Sequence, residues 1–295
     1  MRNTLIVITG PTASGKTAAA VEVARRLGCD VISADSRQIY RDIPIATAAP
    51  TVEEMGGVRH HFVGTLPLDA RYSAARFEAD AMALLARLFK TNRYAVVCGG
   101  SMMYVDALTD GIDPLPDISP ELRRYVAAMA ENCGPEGLMA QLRVLDPEYA
   151  DRVDPDNTKR VAHAVEVSLA AGVPYSQLLT GRKAERPFDI VKVAIGMERA
   201  ELFARINARV GQMVERGLVD EARRLYPHRH LNSLNTVGLK ELFAHFDGRM
   251  SLDEALARIA KNTRVYAKKQ LTWLSRPTVR PAADISTLNS VLGER

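Results

Sequence analysis

Cysteine is scarce: Cys29, Cys98 and Cys133 are the only three in 295 residues, widely spaced and with no C-x-x-C pair. That argues against a disulfide framework or a cysteine zinc site, and it fits a reducing cytoplasm. Long apolar runs are also absent. None approaches the ~20 residues needed to span a bilayer. The stretch Leu5–Ile8 is too short for a signal-peptide core of ~7–15 residues, and no small-residue cleavage site follows it, so it reads as a buried strand. There is no internal repeat and no low-complexity segment. With 47% hydrophobic and 25% charged residues, the chain has an ordinary globular composition, long enough for one large domain or two modest ones. Its net charge of +4 is mild but unevenly spread. Between Ala255 and Pro281 stand seven basic residues (Arg258, Lys261, Arg264, Lys268, Lys269, Arg276, Arg280) and no acid. One such segment in a nearly neutral chain suggests a local face for a polyanion.

Periodicity then separates the chain into regions. Leu5–Ile8, Val31–Ser33, Tyr94–Cys98 and Asp189–Gly196 have strand character, and a helix is predicted over Lys16–Leu27 with Ala20, Val23, Ala24 and Leu27 on one face and Gly28 as its stop. Strands alternating with helices predict an α/β fold, a parallel sheet covered by helices. From Pro114 the pattern turns helical. Ser119 is a predicted N-cap with Pro120 behind it, Leu122, Val126 and Met129 form a stripe, and Asp156 is the predicted cap of a helix from Asn157 to about Ala170. Residues 115–186 therefore form a predicted all-helical insertion in a core made of 1–114 and 187–295. Farther on, Leu202, Ile206, Val210 and Met213 share a helix face, and Ser251–Glu254 is a capping box opening a helix to about Leu274.

The strongest motif is "GPTASGKT", Gly10, Pro11, Thr12, Ala13, Ser14, Gly15, Lys16 and Thr17, which follows a strand and opens a helix. Its amides and the helix N-terminus suit a diphosphate or triphosphate, Lys16 adds a point charge, and the Thr17 hydroxyl can ligate Mg²⁺. The later apolar strand of an ATPase usually ends in an acid that helps to hold the metal. Here "YAVVCGG" ends in glycines. The one acid at the mouth of an early strand is Asp35 in "VISADS", a candidate general base beside the phosphate grip. The other reading of Asp35 is a turn cap acting through Ser36. The adjacent His60 and His61 point to opposite strand faces and so read as structural.

"ISADSRQIYRDIPIATAAP", "VVCGGSMMYVDAL", "RINARVGQMVERGLVDEA", "LNTVGLKEL" and "AKKQLTWL" follow the phosphate loop in order, and from Leu5 to Leu274 the chain resembles bacterial tRNA dimethylallyltransferases. The resemblance implies transfer of a dimethylallyl group from dimethylallyl diphosphate to N6 of the adenine just 3′ of the anticodon in tRNA. It implies Asp35, Thr12, Lys16 and Arg209 as catalytic residues, Gly10–Thr17 as the diphosphate site with Mg²⁺ at Thr17, and a monomer. It places tRNA contacts at Asp35, Ser36, Arg37, Gln38 and Ser101, and at Arg123, Lys159, Arg160 and His163 in the insertion. Lys240, Lys261, Arg264 and Lys268 complete the RNA set, with Tyr266 and Trp273 interleaved among the bases. A solvated helix face is the other reading of these basic positions, and of Arg205. The chain departs from the common family pattern at Ala49, Ser101, Met102 and His163.

A small-molecule kinase, with ATP in the loop and Asp35 activating a hydroxyl, leaves the basic C-terminal helix without a role. A non-catalytic RNA-binding protein leaves Gly15-Lys16-Thr17 and Asp35 without one, and a prenyltransferase of free adenine nucleotides has no use for the insertion. Because no strand-end acid follows the phosphate loop, diphosphate release from dimethylallyl diphosphate should need Mg²⁺ but no nucleotide. Assaying released diphosphate with and without ATP checks this; a stoichiometric ATP requirement would point to the kinase.

Overall fold

In the computed structural model residues 2–277 and 279–282 are described. The last part of the expected core range, 283–295, lies outside the described residues, as do the side chains of residues 280–282. The chain divides into two compact units, Met1–Asp110 with Glu185–Arg295, and Gly111–Ala184.

In the first unit β1 (Thr4–Thr9) is followed by α1 (Lys16–Leu27), β2 (Val31–Ser33), α2 (Val52–Met55), β3 (His60–His61), α3 (Ala74–Leu88), β4 (Tyr94–Cys98) and α4 (Met102–Asp110). The second unit holds α5 (Pro120–Leu145), α6 (Pro147–Ala150), α7 (Thr158–Ala171) and α8 (Tyr175–Leu178). The chain then returns to the first unit as β5 (Asp189–Ile195), α9 (Arg199–Glu215), α10 (Leu218–Leu225), α11 (Leu239–Phe246), α12 (Leu252–Leu274) and β6 (Arg280–Ala282).

The strands form one sheet in the order β3-β2-β4-β1-β5-β6, every neighbouring pair parallel. All six residues of β1 are buried, as expected of a parallel strand covered on both faces. Its alternation assigns Leu5 and Val7 to one layer with Phe77, Leu85 and Leu108 of α3 and α4, and Ile6 and Ile8 to the other with Ala20, Val23 and Ala24 of α1. Each fully buried side chain of this size contributes about 1.5–3 kcal/mol, so both faces of the sheet carry a stabilising apolar layer. A third cluster joins Ile39, Tyr40 and Ile43 to Val210, Met213, Leu218, Leu239, Leu242 and Ile259.

Local signals fall where the chemistry puts them. Gly28 ends α1 in the left-handed region (φ 59°), Ser119 caps α5 with Pro120 next to it, and Ser251 and Glu254 make the reciprocal capping box of α12. One local reading changes, and one kink is new. The cap of α7 is Asn157 and not Asp156: Asn157 keeps a non-helical backbone while its side chain accepts from the Arg160 amide (3.3 Å). And α5 is two helices that meet at Gly134 (φ 66°, ψ −173°), because Pro135 lacks an amide and bars its predecessor from helical backbone. His60 and His61 form the short edge strand β3, where His61 Nε2 meets Asp30 Oδ2 at 2.8 Å and His60 Nδ1 lies 3.0 Å from the Val58 carbonyl.

Within the second unit, Val126, Leu138, Leu142, Val161 and Val165 form the core. Asp146 is buried there because its carboxylate accepts from the Tyr149 amide (2.9 Å) and from the Ser176 amide and hydroxyl (2.6 and 2.8 Å). Among the described residues no helix is long and apolar enough to cross a membrane.

The three thiols differ sharply. Cys133 is exposed, whereas burial pushes Cys29 and Cys98 each up to about 11. Thiolate is the reactive form, so labelling of the native protein at neutral pH should be fastest at Cys133, with Cys29 and Cys98 much slower until denaturant is added. Mass analysis of labelled peptides checks this.

Candidate active site

In a parallel sheet the crevice outside the carboxyl ends of the strands receives ligands, at the point where connections diverge to either side. That point here is β1, which has β4 on one side and β5 on the other. The phosphate loop leaves β1 at this edge. Gly10 is required by close approach, since a Cβ there would meet Ser14 Oγ at 2.7 Å and the Ile195 carbonyl at 2.8 Å. Ala13 takes a left-handed backbone (φ 68°), a conformation that costs a non-glycine residue on the order of 1 kcal/mol. Lys16 Nζ donates to the Pro11 carbonyl (2.8 Å), and the Thr12 amide donates to Gln270 Oε1 of α12 (2.9 Å).

The ends of β2 and β4 supply the facing wall. The Ala34 amide donates to the Cys98 carbonyl (2.8 Å), and Gly99 has no room for a side chain because a Cβ would lie 2.2 Å from the Ala34 carbonyl. Asp35 follows directly. Its Oδ1 accepts from the amides of Arg37 (2.9 Å) and Gln38 (3.2 Å), while no described residue hydrogen-bonds to its Oδ2. One carboxylate oxygen is thus fixed by the backbone, and Asp35 lines the cleft. Ser101 Oγ accepts from the Ser36 amide (2.9 Å), joining the turn after β2 to the start of α4.

These elements enclose a cleft of about 410 Å³. It is lined by Thr12, Lys16, Thr17, Asp35, Ser36, Arg37, Gln38, Ser101, Arg209 and Lys240, so ten of the residues singled out in the sequence meet in one place. Arg209 reaches in from α9, donating to Thr12 Oγ1 (3.4 Å) and to the Ala48 carbonyl (3.2 Å). Its neighbour Arg205 stays outside in a pair with Glu201 (2.8 Å). Four cations, Lys16, Arg37, Arg209 and Lys240, line the cleft against one carboxylate, Asp35. Burial lowers the pKa of Lys16 and of Arg209, and Asp35 acts in the opposite sense on both. Cations held partly out of water beside a single acid favour a polyanionic ligand.

The other predicted residues lie elsewhere. Lys261, Arg264 and Lys268 share a flank of α12 that does not line the cleft; Arg264 donates to Asn207 of α9, and Lys268 lies 5.8 Å from the centre of the Phe203 ring. Arg37, though at the cleft, gives its guanidinium to the Asn232 and Ser233 carbonyls (2.8 and 3.1 Å). In the second unit Lys159 and Arg160 are exposed at the start of α7, while Arg123 (3.4 Å) and His163 (3.9 Å) both approach Glu166. Burial lowers the His163 pKa.

Sequence reasoning missed Gln270, buried on α12 and bridging the Thr12 amide and the Gly100 carbonyl (2.9 Å). It also missed the apolar wall of Ile206, Val210, Met213 and Ile259. A signal was present: Ile259, Thr263, Tyr266 and Gln270 recur at helical spacing, and a polar amide on that stripe marks a buried partner.

Magnesium suits the donor set. It is a hard cation that takes few protein ligands and completes its shell with substrate phosphates and water. Thr17, in the first turn of α1, lines the cleft and offers one hydroxyl oxygen as such a ligand.

The fold and cleft define a parallel α/β core whose glycine-rich loop and one carboxylate, Asp35, share a cleft at the sheet edge. A family model described as IPP transferase matches residues 38–277. The chain is 51% identical over 274 residues, 93% of its length and 92% of the relative's, to tRNA dimethylallyltransferase 2 of Parabacteroides distasonis. It superimposes on the tRNA isopentenylpyrophosphate transferase of Bacillus halodurans with TM-score 0.72 and 35% identity, covering 99% of this chain and 96% of that one. A eukaryotic dimethylallyltransferase acting on tRNA superimposes with TM-score 0.83 and 25% identity over 99% of this chain and 77% of the other. The chain belongs to the IPP transferase family.

The basic flank of α12 yields its own test. Lys261 is exposed and no described side chain pairs with it, so Lys261→Ala should weaken tRNA binding across sequences and reduce the slope of log affinity against log salt by about one phosphate contact. Arg264→Ala and Lys268→Ala should do the same. An unchanged slope in all three assigns the flank to plain surface.

Proposed function

We propose that this chain transfers the dimethylallyl group of dimethylallyl diphosphate to N6 of the adenine just 3′ of the anticodon in tRNA, releasing diphosphate. The observation that carries this reading is the meeting of one carboxylate, Asp35, with a phosphate loop and Arg209 in a single cleft of about 410 Å³. The exocyclic amine of adenine is a poor nucleophile, because its lone pair is delocalised into the ring. In the proposed step the amine attacks the allylic carbon, the carbon–oxygen bond breaks towards diphosphate, and the amine proton passes to Asp35 Oδ2.

Fixing Oδ1 by two amides holds that acceptor in place before the substrate arrives, so little reorganisation accompanies proton transfer. The charge that grows on the leaving diphosphate meets the loop amides, Lys16 and Arg209. Thr12, which accepts from Arg209, sets that guanidinium beside the loop. Thr17 and the diphosphate oxygens would hold Mg²⁺, which would offset leaving-group charge. The residues Ile206, Val210 and Met213 offer the dimethylallyl group an apolar surface.

The adenine must leave its stack to reach a cleft, as for base-modifying enzymes generally. Asp35–Gln38 and Ser101 would surround it. Lys240, Lys261, Arg264 and Lys268, with Arg123, Lys159, Arg160 and His163 of the second unit, would hold the anticodon arm. The chain would act as a monomer, and a tRNA substrate together with free thiols supports a cytoplasmic setting.

Asp35→Asn keeps the shape of the side chain but cannot take the proton. A positioned base is worth about 10²–10⁴-fold in rate, so the single-turnover rate of prenyl transfer should fall by that order with donor and tRNA affinities changed little. Lys16→Ala should weaken donor binding as well as the rate. Near-native chemistry in Asp35→Asn with lost binding would make Asp35 a turn-shaping residue instead.

A further inference from the structure

On the inner face of α10, among Leu218, Ala222 and Leu225, sits an acid: Glu221, only 2% exposed. Its Oε2 accepts from the Ile45 amide (3.0 Å) and its Oε1 from the Ala46 amide (2.7 Å). The turn it holds satisfies its other amides internally, with Thr47 donating to Ile43, Ala48 to Ile45 and Ala49 to Pro44. Ile45 and Ala46 therefore need an outside acceptor, and one buried carboxylate serves both. What the turn presents is Ala48, a non-glycine residue held in the left-handed region (φ 46°). Its carbonyl accepts from Arg209 Nη2 (3.2 Å) and from Gln38 Nε2 (3.2 Å). Ala46, Thr47 and Ala48 all line the cleft, and Glu221 does not.

We propose that Glu221 is a positioning residue for the transfer reaction: by clamping the Ile45 and Ala46 amides it holds the Ala48 carbonyl in its strained setting, and that carbonyl aims Arg209 at the leaving diphosphate. The proposal rests on the reading of Arg209 as a leaving-group donor. Several features favour this role over simple stabilisation of the fold. Helix α10 is already anchored by its apolar residues. An acid in that stripe incurs a desolvation penalty that leucine or methionine would avoid, and both of its oxygens are spent on the turn that carries Ala48. Residues held in uncommon backbone conformations persist only where the surroundings over-determine them. Without the clamp Ala48 relaxes to an ordinary backbone, and Arg209 loses the acceptor that fixes its second nitrogen.

Glu221→Gln in the full chain is the test, since glutamine has the same shape but offers one acceptor oxygen and turns an amino group on the other N–H. Misplacing a catalytic group by about 1 Å costs on the order of 10²-fold. Single-turnover prenyl transfer to tRNA should therefore slow by about that factor at temperatures where circular dichroism shows the variant folded. The decisive readout is a double-mutant cycle with Arg209→Gln. Glu221 acting through Arg209 makes the double variant about as slow as Arg209→Gln alone, whereas independent structural damage makes the two losses multiply. Should Glu221→Gln not fold, Glu221→Asp keeps the charge, is too short to hold both amides, and enters the same cycle. Native rates in the Glu221 variant, or multiplicative losses, overturn the proposal. Failure of the wild-type chain to prenylate tRNA would instead refute the functional reading itself.

Discussion

The site depends on a buried amide more than on any charged residue. Gln270 accepts from the Thr12 amide and donates to the Gly100 carbonyl, so one side chain on α12 joins the loop after β1 to the turn after β4. There is no slack in the arrangement, because a Cβ on Gly100 would lie 2.3 Å from Gln270 Nε2. Buried amides with both ends used are rigid, and each lost partner costs about 1–3 kcal/mol. The same helix that carries the basic flank therefore sets the spacing between the two walls of the cleft. Its far end is held as well: Trp273 Nε1 and Arg276 both donate to Asp106 of α4 (2.9 Å each).

Within that frame the electrostatics are lopsided by design of the fold. The acid sits where β2 ends and is tied to the backbone by its own turn, which also carries Arg37, while the other three cations arrive on separate elements: Lys16 on α1, Arg209 on α9 and Lys240 on α11. No described acid pairs with Arg209 at ion-pair distance; backbone and hydroxyl oxygens hold it instead. An arginine held by neutral acceptors keeps its full charge for a ligand, whereas one held by a carboxylate would arrive already neutralised. Partial removal from water strengthens the attraction further.

Much of this was legible in the amino-acid order, and the reasons are physical. Strands buried on both faces read as unbroken apolar runs, which is why the ends of β2 and β4 fall as predicted, and the Ser251–Glu254 box marks the start of α12 by its own reciprocal bonds. The phosphate loop is local chemistry, complete within eight residues of chain. Gln270 and Glu221 were not legible, since each gains its meaning from partners 258 and 175–176 positions away. The His60–His61 pair was recognisable as structural but not as a sheet edge, because a two-residue strand leaves no periodicity. The kink at Gly134–Pro135 is local chemistry too, since proline bars its predecessor from helical backbone.

The order of the strands also bears on how the protein is made. β1 is central in the sheet, yet its partner β5 begins at Asp189, after the whole second unit has been synthesised, and Thr4 pairs with that residue. Arg209 and Gln270 come later still. At about 5–20 residues per second, the amino-terminal phosphate loop waits on the order of 15–50 s for the helix that fixes its Thr12 amide. For the first part of that interval, roughly 10–40 s until β5 is made, the edge of β1 facing it has no strand beside it. The nascent chain therefore carries an unpaired strand edge at Thr4–Thr9 until the second unit has been made, the kind of edge that invites wrong pairing.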